Sequence, residues 1–284
     1  MLTPRTLISA MGSWLVLATA SGADLTLKGS IAVYPVVAPA AKAYQKAHPG
    51  STITIGQGIE ESGFDALVQG QINIAMATRA LKPEEQDLVA TPIGYDAVAI
   101  LVHRSNPVAG LTAQQLAAIY TGAVATWKDV GGSDLPVAPG SLHEGTSLQI
   151  LFANHLRVTG TSVGEGAEKV MAYSGGSGPG LRLRRLSSVA ETIAYVALKP
   201  GAVGFCNLGQ AAVAQEKGAA IKIISLDGIP AENATITSGA YSLRFALQLV
   251  TKGPPSGDAK RFIEFMTGSE GQTFVSANGA IPLE

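Results

Sequence analysis

Along this chain, short runs of apolar and β-branched residues alternate with stretches in which apolar residues return every three or four positions. LTLKGS (25–30) predicts a strand that ends in a Gly-Ser turn, and residues 35–47 predict a helix with Val36, Val37, Ala40 and Tyr44 on one face. STITIGQG (51–58) predicts a second strand, residues 63–69 a short helix, and INIAMATR (72–79) a third, nearly continuous apolar strand. Apolar strands separated by amphipathic helices belong to an α/β fold, in which a mostly parallel sheet is covered on both faces.

The rest of the chain keeps this alternation. YDAVAILVHR (95–104) predicts a long strand, and LTAQQLAAIYTG (111–122) a helix with Thr112 placed to cap its start and Gly122 to stop it. Residues 188–208 predict a helix, a Pro-Gly turn and a strand; YSLRFALQLVTK (241–252) predicts another long strand, and 258–279 two helical segments broken near Gly268. The strands at 95–104 and 241–252 flank a block able to form its own sheet. A chain that crosses into a second domain and comes back has this layout. The expected domains are therefore 24–98 plus 241–284, and 99–240. Ligand sites in such folds lie at strand ends and between domains.

Composition narrows the function classes. The formal net charge is −1, which offers no basic face for nucleic acid. At the N-terminus, Arg5 precedes an apolar run from Leu7 to Ala20, followed by the small residues Ser21, Gly22 and Ala23. This predicts a signal peptide over 1–23, cleaved near Ala23, and a periplasmic or secreted mature chain. The run is shorter than the ~20 residues needed to span a bilayer. Cys206, the single cysteine, excludes an internal disulfide and, within VGFCNL, is expected to be a small buried hydrophobe. His48, His103, His143 and His155 stand far apart without metal-ligand spacing, so no metal or cofactor is expected.

The segment PGSLHEGTSLQILF (139–152) carries candidate chemistry. Gly145, Thr146 and Ser147 stand just ahead of Leu148, Leu151 and Phe152, which have helical spacing. Small and hydroxyl residues at a helix start bring free N–H groups and side-chain donors to one point, which suits an anion. No lysine or arginine lies between Lys128 and Arg157, so an anion here lacks a local counter-charge.

Several stretches together extend this reading. GSIAVYP (29–35), INIAMATRALKPEE (72–85), HRSNPVAGLTAQQLAAIYTGAVATWKDVGG (103–132), KPGAVGFCNLG (199–209), SGAYSLRFALQLVTKG (238–253) and FIEFMTGSEGQTF (262–274) resemble the phosphate-binding proteins of ABC importers, in order and spacing. The resemblance implies a two-lobed periplasmic-binding-protein-like fold of class II. Each lobe would be a mixed, mostly parallel sheet flanked by helices, with the ligand in the cleft between lobes. It also implies a monomeric solute receptor, not an enzyme, working with an ABC permease in the inner membrane.

The resemblance further implies a binding set, in which this chain departs from the family pattern. In the turn after the first strand, Ser30 keeps a hydroxyl, Ile31 and Ala32 offer only backbone donors, and Ser30, Ala32 and Val33 are expected to face the ligand. Glu60 stands where the family has a serine donor; either its carboxylate repels phosphate, or Glu60 and Glu61 are solvated at a helix start. Asn73 replaces an aspartate that accepts a proton from bound phosphate, while Arg79 is assigned to structure or to the rim. In the third segment, Leu142 replaces the family's anion-binding arginine, and Gly145, Thr146 and Ser147 form the helix-start cradle. Losing a hydrogen bond to a charged group costs ~1.5–3 kcal/mol, or roughly ten- to a hundred-fold in affinity.

The expected function is thus capture of phosphate, or of a related or altered ligand, for import. The alternative is a transporter-independent binding or sensor module on the same fold. The cluster Arg182, Arg184 and Arg185 reads either as a solvated loop or as positive charge supplied to the cleft from elsewhere. A hydrolase using Ser147 with His143 is disfavoured, since the nucleophile-elbow pattern is absent.

Overall fold

A computed structural model describes residues 24–176 and 178–283; the expected signal peptide, 1–23, lies outside the described residues. The chain opens with β1 (Asp24–Ser30), α1 (Tyr34–Ala47), β2 (Thr52–Gly58), α2 (Glu60–Val68) and β3 (Ile74–Ala77), close to the predicted pattern. β1 pairs in parallel with β2 on one side and β3 on the other. Val36, Val37, Ala40 and Tyr44 of α1 are buried, as their spacing predicts. Tyr44 meets Phe262 and Phe265 edge-on, with centroids 5.4 and 5.2 Å away.

β4 (Leu88–His103) is longer than predicted because its first half also pairs. It is followed by β5 (Gly110–Leu111) and α3 (Ala113–Thr121). Thr112 caps α3 through a reciprocal box with Gln115, and Gly122 ends it in the left-handed region. Then come β6 (Ala138–Leu142), α4 (Ser147–Leu156), β7 (Thr159–Val163), β8 (Val170–Ser174) and β9 (Leu181–Leu186). The chain closes through α5 (Val189–Leu198), β10 (Ala202–Asn207), α6 (Leu208–Glu216), β11 (Ile221–Leu226), α7 (Asn233–Thr237), β12 (Arg244–Lys252), α8 (Gly257–Thr267) and α9 (Ser269–Ala277).

The strands order as β2-β1-β3-β12-β4-β10-β6-β9-β8-β7, with β11 on β4 and β5 on β11. This mixed sheet has one shared strand at its middle. Over Leu88–Ala97, β4 pairs antiparallel with β12; from Val98 onward it pairs with β10 and β11 instead. β4 therefore joins two halves of the sheet, and the change of partners falls between Ala97 and Val98.

Asp96 sits at this changeover and is buried. Its carboxylate accepts hydrogen bonds from Ala97 N (2.7 Å), Asn207 Nδ2 (2.9 Å) and Gly209 N (3.3 Å). Burial pushes its pKa up from 3.8 to about 6, against the opposing pull of these donors. In the second half, Phe152 stacks on Phe205 at 4.0 Å and meets Tyr120 edge-on at 4.7 Å. Cys206 is fully buried and its thiol pKa is pushed up, which makes it an inert core residue.

Candidate functional site

The parallel strands β1 and β3 end on the same edge of the first half, and the start of α2 lies over that edge. Gly63 permits this close approach: a Cβ there would lie 2.6 Å from the Lys28 carbonyl oxygen. α2 thus carries Glu60, its first residue, over the end of β3. From the second half, the β6–α4 loop brings Ser147, the first residue of α4, to the same point.

Glu60 is the centre of the arrangement. Its Oε2 accepts from Thr78 N (3.0 Å), Thr78 Oγ1 (2.9 Å) and Ser147 Oγ (2.9 Å), and its Oε1 accepts from Arg79 N (3.0 Å). Ser147 Oγ also lies 3.0 Å from Ser30 Oγ, so Ser30, Glu60, Thr78 and Ser147 form one buried network across the two halves. Burial rules out the solvated reading for Glu60 and fits it for Glu61. Glu60 is 7% exposed and fully hydrogen-bonded, whereas the Glu61 side chain is half exposed.

Arg79 frames this network without being free to serve it. Its guanidinium bonds both oxygens of Glu85, reaches Glu61 at 3.2 Å, and lies 4.0 Å from the Phe64 ring centroid. Glu85 holds Arg79 firmly in its charged form, and Arg79 in turn lowers the Glu85 pKa. Lys82 pairs with Glu61 at 3.5 Å. Two cations thus face three carboxylates, Glu60, Glu61 and Glu85, so this part of the cleft carries no surplus positive charge. A cavity of about 250 Å³ adjoins the network, lined by Ile59, Glu60, Arg79, Gly145, Ser147 and Ile150 among others.

The structure gathers Ser30, Glu60, Gly145 and Ser147, and it separates the other expected residues from them. Asn73 stands at the opposite end of β3, where its Oδ1 accepts from Thr26 N at 2.7 Å; it has no part in the cleft. Leu142 is fully buried in the core and does not line the cavity, and the same holds for Leu148. Ala32 and Val33 are buried, and their N–H groups are used inside the turn, on Ser30 Oγ and Ser30 O. Thr146 turns its hydroxyl back to the His143 carbonyl, 3.1 Å away, and Gly145 N donates weakly to Gln149 Oε1 at 3.4 Å.

Thr78 and the Arg79 backbone N–H were missing from the sequence reading as donors. The available signal was their position at the carboxyl end of a parallel strand, where such folds place their ligands. Arg182 and Arg184 are exposed, Arg184 pairs with Glu191, and none of the three arginines lines the cavity. His143 Nδ1 faces the Glu144 carbonyl and not Ser147, so the Ser-His pair of a hydrolase is not formed. Among the described residues, no group of three or more His, Cys, Asp or Glu side chains is placed to hold a metal ion.

A donor cluster at strand ends, bridging two sheet halves joined through β4, can be compared with known proteins. Residues 17–270 match the family model described as a PBP superfamily domain. The chain belongs to this superfamily. Among curated relatives of this PBP-superfamily chain, the phosphate-binding protein PstS of Borreliella burgdorferi is 26% identical over 267 residues, covering 92% of this chain and 90% of that protein. The phosphate-binding protein PstS of Bacillus subtilis is 25% identical, covering 93% of this chain and 82% of its own length. Among solved structures, one from Clostridium perfringens, assigned as a phosphate ABC transporter substrate-binding protein with bound phosphate, superposes with a TM-score of 0.74. It is 25% identical and covers 92% of this chain and 100% of that one.

Proposed function

We propose that this protein is the extracytoplasmic solute-binding component of an ABC importer, capturing phosphate or a related oxyanion ligand between its two sheet halves. The observation that carries this reading is the convergence of Ser147 Oγ, Thr78 N and Oγ1 and Arg79 N on one carboxylate. Donors from both halves are aimed at a single anionic group, which is the geometry a closing receptor needs. Relatives named as phosphate-binding proteins, matched along nearly their whole length, support the same reading. Under it, 24–98 plus 241–284 and 99–240 act as two lobes about β4 and β12, residues 1–23 direct export and are removed, and a monomer delivers ligand to a permease.

The test is the melting temperature of the mature protein, 24–284, with phosphate, sulfate, molybdate, phosphonates, amino acids and other small organic acids. A ligand that binds only the folded state raises stability by mass action, by about 2.7 kcal/mol at a hundred times its Kd. A rise with phosphate or another oxyanion is expected. No rise with any of these compounds would refute the reading.

A further inference from the structure

Glu60 occupies the point where hydrogen-bond donors from the two sheet halves converge. Its two oxygens take up four donors, from a backbone N–H and hydroxyl at Thr78, a backbone N–H at Arg79 and the hydroxyl of Ser147. Three of these come from the end of β3 in the first half, and the fourth from the start of α4 in the second. The Arg79 Nε lies a further 4.0 Å from Oε1, so one guanidinium stands beside the carboxylate without a direct bond to it. Glu60 is thus coordinated as an anion at a receptor site is coordinated, except that a peptide backbone tethers it.

We propose that the Glu60 carboxylate is a built-in surrogate for the ligand's anionic group, which bridges the two halves and competes with any free oxyanion for the same donors. The proposal rests on reading the cleft as an oxyanion site. Its physical basis is effective concentration: a tethered group meets its donors without the cost of association that a free anion bears. A free dianion would also have to enter beside Glu61 and Glu85, with Arg79 and Lys82 already engaged. The surrogate therefore sets specificity, admitting only a solute that displaces a bound carboxylate, and it holds Ser147 to the first half through a contact that ligand would otherwise make.

The alternative, that Glu60 is simply a buried structural carboxylate, predicts that its removal harms the protein and creates no anion site. The two are separated by titrating inorganic phosphate, formate and acetate into the wild-type protein, Glu60→Ser and Glu60→Gln, with calorimetry and melting temperature as readouts. The exposed carboxylate of α6, changed in Glu216→Gln, controls for net charge. Glu60→Ser is expected to bind phosphate at least tenfold more tightly than wild type, about 1.4 kcal/mol. Formate and acetate should raise its melting temperature and leave wild type and Glu216→Gln unchanged. Where Glu60→Ser does not fold, Glu60→Gln, which keeps the shape and loses the charge, should gain phosphate affinity in the same direction.

Wild type binding phosphate as tightly as the Glu60 variants would overturn the surrogate and leave the receptor reading intact. Rescue of Glu60→Ser by formate or acetate, with no phosphate binding by any form, would support the surrogate and remove phosphate as the ligand. No response of either variant to any of the three anions would overturn the surrogate.

Discussion

Asp96 provides a stability prediction whose sign follows from its surroundings. The carboxyl is buried where β4 changes partners, and burial raises its pKa from 3.8 to about 6. A carboxyl that binds its proton more tightly in the folded state favours folding when protonated. This contribution is complete below pH 3.8 and is lost as pH rises through about 6. At 1.36 kcal/mol per pH unit, the rise corresponds to about 3 kcal/mol between those limits. Asp96→Asn removes the titration while keeping the size and part of the hydrogen bonding to Asn207. Urea unfolding of wild type and variant at several pH values from 4 to 7 isolates the effect, because other titrating groups cancel in the difference. Wild type should lose ground to the variant as pH rises. A difference that is constant, or that grows in favour of wild type, would refute the argument. It would show that the N–H donors of Ala97, Asn207 and Gly209 match or outweigh the cost of burying the charge.

Three further perturbations test the packing around the site. Leu142→Arg should lower stability by several kcal/mol, because it forces a guanidinium into the core; it should give no gain in phosphate affinity, and thermal unfolding with calorimetry reads both. Gly63→Ala should cost about 1–3 kcal/mol by pushing α2 off the Lys28 carbonyl. A chemical-denaturation midpoint equal to wild type would show that α2 does not depend on this contact. Phe152→Ala should cost about 3–5 kcal/mol, since it empties the space between Phe205 and Tyr120; a loss below 1 kcal/mol would contradict that packing.

Periodicity and capping chemistry are local, and they were legible in the chain. The buried face of α1, the Thr112 box and Gly122 stop of α3, and the buried Cys206 all follow from residues a few positions apart. The long strands near 95–104 and 241–252 were legible too, since apolar runs of that length need partners on both sides, and they form as the adjacent strands β4 and β12. The β7–β8–β9 edge was not legible. Its strands mix glycine, charge and apolar residues, and the antiparallel ladder between them decides the conformation.

The candidate site divides in the same way. Ser30, Gly145 and Ser147 belong to turns whose local chemistry marks them out, and the structure brings them to one edge. Asn73 and Leu142 were misplaced because motif position does not reveal which end of a strand, or which face, a residue occupies. That depends on sheet register: pairing with β1 sets Asn73 level with Thr26, far along the strand from Ser30. The sequence alone determined an alternating α/β chain and, through its resemblance, a receptor type. Only the tertiary structure decided where the anion is: Glu60 and Ser147 lie 87 residues apart, and they meet only when both sheet halves and both helix starts are in place.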